Sequence, residues 1–301
     1  GSLVASFQKV TTMNKIHTLA LFLSETKFTD KNLTSFAVSL ATMPNLKDLK
    51  LGFHGTKISD MGVEQLLIGL KGVVSNIEVF SLYLGNTRIT DSSMKHFSQW
   101  ILSMTMIKSL TLDFAETQVS DTGMVNLFSG MSIIVKNVES FALYLNGSKI
   151  GDKSIEALAK NVVPNMNLLD HLKLNFSYTN VRDASLVELF ESFGKAWEKL
   201  KSVVLCLAKT KISDMAIQEL NQQIDDISGD SLEELILYLE ETQVTDRNVL
   251  ELCQIVRKFY NMKKPLYNFD VKLNGARVKD ETIQMVDEMK GACGMRNTMN
   301  P

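Results

Sequence analysis

Apolar positions along the chain fall into a fixed pattern, and that pattern predicts nine copies of one strand–turn–helix unit. The stretches TKFTD, TKISD, TRITD, TQVSD, SKIGD, TNVRD, TKISD, TQVTD and ARVKD recur in order. Their aspartates, Asp30, Asp60, Asp91, Asp121, Asp152, Asp183, Asp214, Asp246 and Asp280, are spaced 30 to 34 residues apart, which marks a repeat architecture with a period of about 31. Aligned on the aspartate, each copy reads apolar-x-x-apolar-x-Leu-x-apolar-x-x-Thr-x-apolar-x-Asp, as in Leu46, Leu49, Leu51, Phe53, Thr56, Ile58 and Asp60. Two more apolar columns follow the aspartate by three and six residues, as in Val63 and Leu66. All seven apolar columns are apolar in all nine copies, although apolar residues make up only 45% of the chain.

The period changes within each copy. Alternation at Leu19, Leu21 and Leu23, at Phe80, Leu82 and Leu84, and at Leu235, Leu237 and Leu239 predicts a half-buried strand. Past the aspartate the spacing becomes three, as in Asp91, Met94 and Phe97, which predicts a helix with one buried face. The aspartate follows a short polar residue in most copies, where an N-cap acceptor is wanted, and is read as capping its own helix. The hydroxyls of Thr26, Thr56, Thr87, Thr117, Ser148, Thr179, Thr210 and Thr242 are expected to bond backbone groups that the turn leaves unpaired. Ala276 breaks this column, so the ninth copy is expected to be the least tightly held.

These residues resemble the leucine-rich repeat, L-x-x-L-x-L followed by a polar residue and L/I-x-D. The long intracellular repeats of ribonuclease-inhibitor type are the nearest pattern, over about residues 16–290. The chain differs by an extra apolar-x pair (Leu23, Phe53, Leu84, Phe114) and by Thr at the polar column. The resemblance implies an α/β fold: a right-handed, horseshoe-shaped solenoid of nine β-α repeats, with a parallel sheet on the concave face and helices outside. Residues 1–15 are expected to form an N-terminal half-repeat cap, residues 16–290 the nine repeats and residues 291–301 a flexible tail, all in one domain. Gly1-Ser2 reads as an appended dipeptide, so the natural chain is expected to be longer.

Composition narrows the function classes. Thirty-two basic residues against thirty-four acidic ones leave a net charge of −2, without the cationic excess of a phosphate-tracking protein, so no nucleic-acid partner is expected. No run of about eighteen apolar residues and no leader pattern occurs, so neither a membrane span nor secretion is expected. Cys206, Cys253 and Cys293 have no Cys-x-x-Cys spacing, which fits a reducing, cytoplasmic setting. Asn32, Asn146 and Asn175 each begin a glycosylation sequon, a motif common by chance and here without a leader.

Chemistry is sparse. His17, His54, His96 and His171 occupy different columns without metal-ligand spacing, so no metal is expected, and no Walker or dinucleotide-binding glycine motif implies a cofactor. Cys206 lies on an outward strand column with no assignable base, and the regular aspartates read as caps, so no catalytic residue is assigned. Arg88 and Arg277 share a loop column and could act on a phosphoryl transition state, as in some GTPase activators of ribonuclease-inhibitor type. Lys27, Lys57 and Gln118 fill the same column, as solubilising surface residues would.

The outward strand residues offer a surface. The middle outward column reads Phe22, Gly52, Tyr83, Asp113, Tyr144, Asn175, Cys206, Tyr238 and Lys272. Nine strands about 4.8 Å apart span roughly 40 Å, a length suited to a peptide or protein edge. Lys50, Lys173, Tyr178, Glu240 and Glu241 lie in neighbouring columns, and the acidic edge beside Tyr238 suits a basic segment. Tyrosine gives large contact area at low entropy cost, although aromatics also occur on sheets as tolerated surface. The expectation is a monomeric, non-catalytic scaffold that binds a protein or peptide on this face. The alternative is a regulatory module of a larger signalling protein, either a GTPase activator or the recognition domain of a ubiquitin-ligase or kinase assembly.

Overall fold

The computed structural model describes residues 15–227, 231–261 and 266–294. The expected N-terminal half-repeat, apart from Lys15, lies outside these residues, as does the chain beyond Gly294. The architecture is α/β, with the strand–turn–helix repeat that the leucine-rich-repeat resemblance implies: each repeat is a five-residue strand, a tight turn and a helix.

The chain divides into two compact units, Gly1–Ile150 and Gly151–Pro301. The first holds strands β1 (Thr18–Phe22), β2 (Asp48–Gly52), β3 (Val79–Tyr83), β4 (Ser109–Asp113) and β5 (Ser140–Tyr144). Helices α1 (Asp30–Leu40), α2 (Asp60–Leu70), α3 (Asp91–Ile101) and α4 (Asp121–Met131) alternate with them. The strands pair in parallel in chain order, so that Phe22, Gly52, Tyr83, Asp113 and Tyr144 share one register. The second unit runs α5 (Asp152–Asn161), β6 (His171–Asn175), α6 (Asp183–Phe193), β7 (Ser202–Cys206), α7 (Asp214–Asp225), β8 (Glu234–Tyr238), α8 (Asp246–Asn261), β9 (Asn268–Lys272) and α9 (Asp280–Gly294). Its strands are also parallel and place Asn175, Cys206, Tyr238 and Lys272 in register.

The apolar columns are the core. In repeats two to eight every residue of the seven columns is at most 3% exposed. Departures are confined to the terminal repeats, where Ile16, Leu19, Leu21, Leu23 and Val278 are half-buried and Ile283 is exposed, as expected where a repeat lacks a neighbour. Ring contacts tie sheet to helix: Phe80 of β3 meets Trp100 of α3 at 5.3 Å between centroids, and Phe97 of α3 meets Phe114 of the next repeat at 5.7 Å. Helix α9 continues four residues beyond the expected boundary at Lys290. Cys293, 1% exposed, extends the buried face of Val286 and Met289 by one turn, and this outweighs the helix-weakening Gly291.

The aspartates do not cap their own helices. Each is the first helical residue, and the N-cap is the residue before it, such as Thr29, Ser59, Thr90, Ser120 or Ser213. The carboxylate reaches forward to the next repeat's cap. Asp30 accepts from Ser59 N–H at 2.8 Å and from the Ser59 hydroxyl at 2.6 Å. The same pair of bonds joins Asp60 to Thr90, Asp91 to Ser120, Asp183 to Ser213 and Asp214 to Thr245. One carboxylate thus satisfies the next cap residue's N–H and hydroxyl and places negative charge at a helix N-terminus, where the helix dipole favours it.

The threonine column behaves as expected. All eight hydroxyls donate to the carbonyl three residues earlier at 2.5–2.7 Å, closing the turn on the first carbonyl after the strand. The residue before each hydroxyl adopts a left-handed backbone. Glycine fills that position at Gly55 and Gly147, but Glu25, Asn86, Glu116, Tyr178, Lys209 and Glu241 hold φ between 51° and 60°. For a residue other than glycine or asparagine this geometry costs about 1–2 kcal/mol. Exposed Glu116 enters no ion pair among the described residues. Glu116→Gly should therefore raise stability in urea unfolding by about 0.5–1 kcal/mol, strain relief outweighing the greater freedom of the unfolded chain; a loss of stability would contradict this.

Candidate binding face

Two parallel ladders leave the outward strand residues on the side opposite the sealed core, and the predicted residues divide between them. In the first unit Phe22 is 59% exposed, while Tyr83, Asp113 and Tyr144 are half-buried. Gly52 lies between Phe22 and Tyr83 in the register, and the missing side chain lets the rings meet across it. Their centroids are 6.1 Å apart, and a Cβ on Gly52 would stand 2.5 Å from Phe22 Cδ1. Gly85, in the turn after β3, also makes room: an added Cβ would meet His54 Nδ1 at 2.6 Å and both Asp113 carboxylate oxygens at 3.2 Å. His54 and Asp113 therefore flank a floor without side chains. Lys50, also predicted for this face, is turned to Asp48 at 3.5 Å on its own strand.

In the second unit Tyr178 is 59% exposed, Lys173 and Glu241 are exposed, and Asn175, Tyr238 and Glu240 are half-buried. Tyr178, Lys209 and Glu241 occupy the left-handed turn position of successive repeats. Lys209 Nζ lies 4.9 Å from the Tyr178 ring centroid and 3.0 Å from Glu241 Oε1. The Glu241 contact holds the Lys209 ammonium above its ordinary value. Glu241 is thus engaged within the chain, and one oxygen of Glu240 is buried without a hydrogen-bond partner among the described residues. Lys272 pairs with Asp270 at 3.0 Å.

Cys206 sits in the same column as Tyr238. Burial pushes its thiol up to about 11, with Lys173 opposing and Glu240 reinforcing the shift, so it stays protonated at neutral pH. Among the described residues no group of three or more His, Cys, Asp or Glu could hold a metal ion. Arg88 and Arg277 lie exposed on the turns, where their backbone N–H groups continue the ladder to Ile58 and Val244.

Sequence reasoning placed the outward column but missed three contributors. Gly52 was visible only as a gap in an aromatic column, and its use depends on strands two repeats apart. His54 and Lys209 lie in turns whose side-chain direction depends on backbone conformation that composition does not reveal.

No family model matches the sequence, and no curated protein matches it. Among solved structures the chain is similar to the crystal structure of an internalin (inlF) from Listeria monocytogenes str. 4b F2365. The identity is 17% and the TM-score 0.46, over 95% of this chain and 84% of that one. It is also similar to a chain in the crystal structure of the Rad7 and Elc1 complex in yeast, at 18% identity and a TM-score of 0.47, over 87% of this chain and 64% of that one.

Proposed function

We propose that this leucine-rich-repeat chain is a non-catalytic scaffold that binds a protein or peptide on the open face of its sheet. The observation that carries the reading is the contrast within single strands. Inward residues such as Phe80 and Leu82 are fully buried, while outward Phe22 and Tyr83 form an aromatic pair that the core does not need. Aromatic side chains left partly in water on a rigid surface are what binding hot spots are made of. A repeating array of this kind suits an extended chain or a protein edge better than a small metabolite, which needs an enclosing pocket. Among the described residues no helix is long and apolar enough to cross a membrane.

Affinity capture from the source cell, run with wild type and with the Tyr83→Ala/Tyr144→Ala variant, tests the reading. Recovery of a specific partner should fall at least tenfold in the variant while the melting temperature changes by only a few degrees. Equal recovery by the two proteins would refute it.

A further inference from the structure

Asp113 closes β4, and its two register neighbours are Tyr83 on β3 and Tyr144 on β5. Its Oδ1 accepts the N–H of Ala115 at 2.9 Å, closing a short turn, and the carboxylate enters no other hydrogen bond or ion pair among the described residues. In the second unit Asn175 fills the same column and makes the same bond, accepting Ser177 N–H on Oδ1 at 3.1 Å. An amide is therefore sufficient for the turn, and the charge on Asp113 has no structural use there. The charge is also unfavourable where it stands. Burial holds the carboxyl above its ordinary value of 3.8, opposed by the Ala115 N–H and His54 and reinforced by Glu116.

The surroundings fit a cation. Parallel strands lie about 4.8 Å apart, so a positive group over Asp113 would be about 5 Å from the register positions of both tyrosines, inside the roughly 6 Å at which a cation meets an aromatic ring. Exposed Glu116 adds negative charge on the same repeat. Among the outward strand residues of the first unit the cation is Lys50, which lies two strands away and is held by Asp48 at 3.5 Å. Guanidinium is flat, stacks on rings and pairs with a carboxylate through two N–H groups, which suits this arrangement better than a hydrated ammonium. The face is open, so the group must arrive on a larger molecule that other contacts hold in place. The exposed Phe22 beside Tyr83 offers such a contact for an apolar neighbour on the same segment.

We propose that Tyr83, Asp113 and Tyr144 form a socket for an arginine side chain carried by an extended protein segment laid across the first unit's sheet. The inference rests on the binding-face reading above and narrows it to a partner of stated chemistry.

The test pans the full chain against pooled decapeptides with one central residue fixed as arginine, lysine, citrulline or leucine and the flanking positions randomised among β-favouring residues. Wild type should retain the arginine pool at least tenfold better than the citrulline pool, which has nearly the same shape without the charge. Asp113→Asn should remove that preference with no loss of melting temperature, because the Ala115 turn bond survives and the unfavourable charge is gone. Equal retention of the two pools by wild type, or a preference that persists in Asp113→Asn, would overturn the socket. Tyr83→Leu/Tyr144→Leu separates the two readings. If it loses every pool while wild type does not distinguish arginine from citrulline, the face stands and the socket falls; if it retains the pools as wild type does, both fall.

Discussion

Phe97→Ala should destabilise the protein by about 3–5 kcal/mol, the range for emptying a fully buried aromatic site. Phe97 is 0% exposed, and its ring meets Trp100 of its own helix at 6.2 Å and Phe114 of the following repeat at 5.7 Å. The cavity therefore opens on both sides of a repeat boundary. Stability in such stacks is approximately a sum of repeat and nearest-neighbour terms, so one truncation weakens two of them. Val125→Ala, at a helix position 39% exposed, should by contrast cost well under 1 kcal/mol. Urea unfolding of the pair measures the difference, and similar midpoints would show that the apolar column is not the core.

Asp60→Ala should cost about 2–3 kcal/mol, because four hydrogen bonds converge on one carboxylate. Thr90 and Ser93 each donate a backbone N–H and a hydroxyl to it, and its removal leaves the Thr90 N–H without an acceptor and the Ser93 N–H with only the Thr90 carbonyl at 3.1 Å. The same bonds set the pH response. Partial burial alone would raise the Asp60 carboxyl, but the Ser93 and Thr90 bonds prevail and hold it below 3.8. A carboxyl whose folded value is depressed stabilises the fold fully above its unfolded value and loses that contribution as pH falls through the folded one. Asp246, held down by Thr282 and the Lys279 N–H, follows the same direction, as does Glu78, lowered from 4.5 to about 2 by Lys108 and Lys47. The melting temperature should therefore be flat above about pH 5 and fall progressively from about pH 4 toward pH 2. The fall should be shallower in Asp60→Ala, and parallel curves for wild type and variant would contradict the inter-repeat staple.

Much of the fold was legible because burial is an unforgiving filter. Leu49, Leu51, Phe53, Ile58, Val63 and Leu66 recur at one spacing because each must face the same interior, and a shift of one residue would turn a strand's apolar side to water. The threonine column was equally readable, since a short hydroxyl beside a tight turn has few alternatives to the carbonyl three residues back. The aspartates stand at the expected position but bond a different partner. A carboxylate at a helix start serves its own first turn or the next repeat's cap equally well by composition, and only the lateral distance between repeats decides. The left-handed turns escaped notice because Glu, Tyr and Lys are not residues that announce that conformation. Of the candidate face, the outward column followed from strand alternation, whereas the Phe22–Tyr83 contact needed the gap at Gly52, and the pairing of Lys209 with Tyr178 and Glu241 needed the turn geometry.

In the proposed reading the strands commit one side to folding and leave the other open to a partner. The most direct measurement compares Leu82→Ala with Tyr83→Ala, neighbours on β3 that face opposite ways. Leu82 is fully buried, so its truncation should cost about 2–5 kcal/mol in urea unfolding. Tyr83 gives up little beyond its contact with Phe22, so its truncation should cost no more than about 1.5 kcal/mol. Equal losses at the two positions, or a larger loss at Tyr83, would contradict the claim.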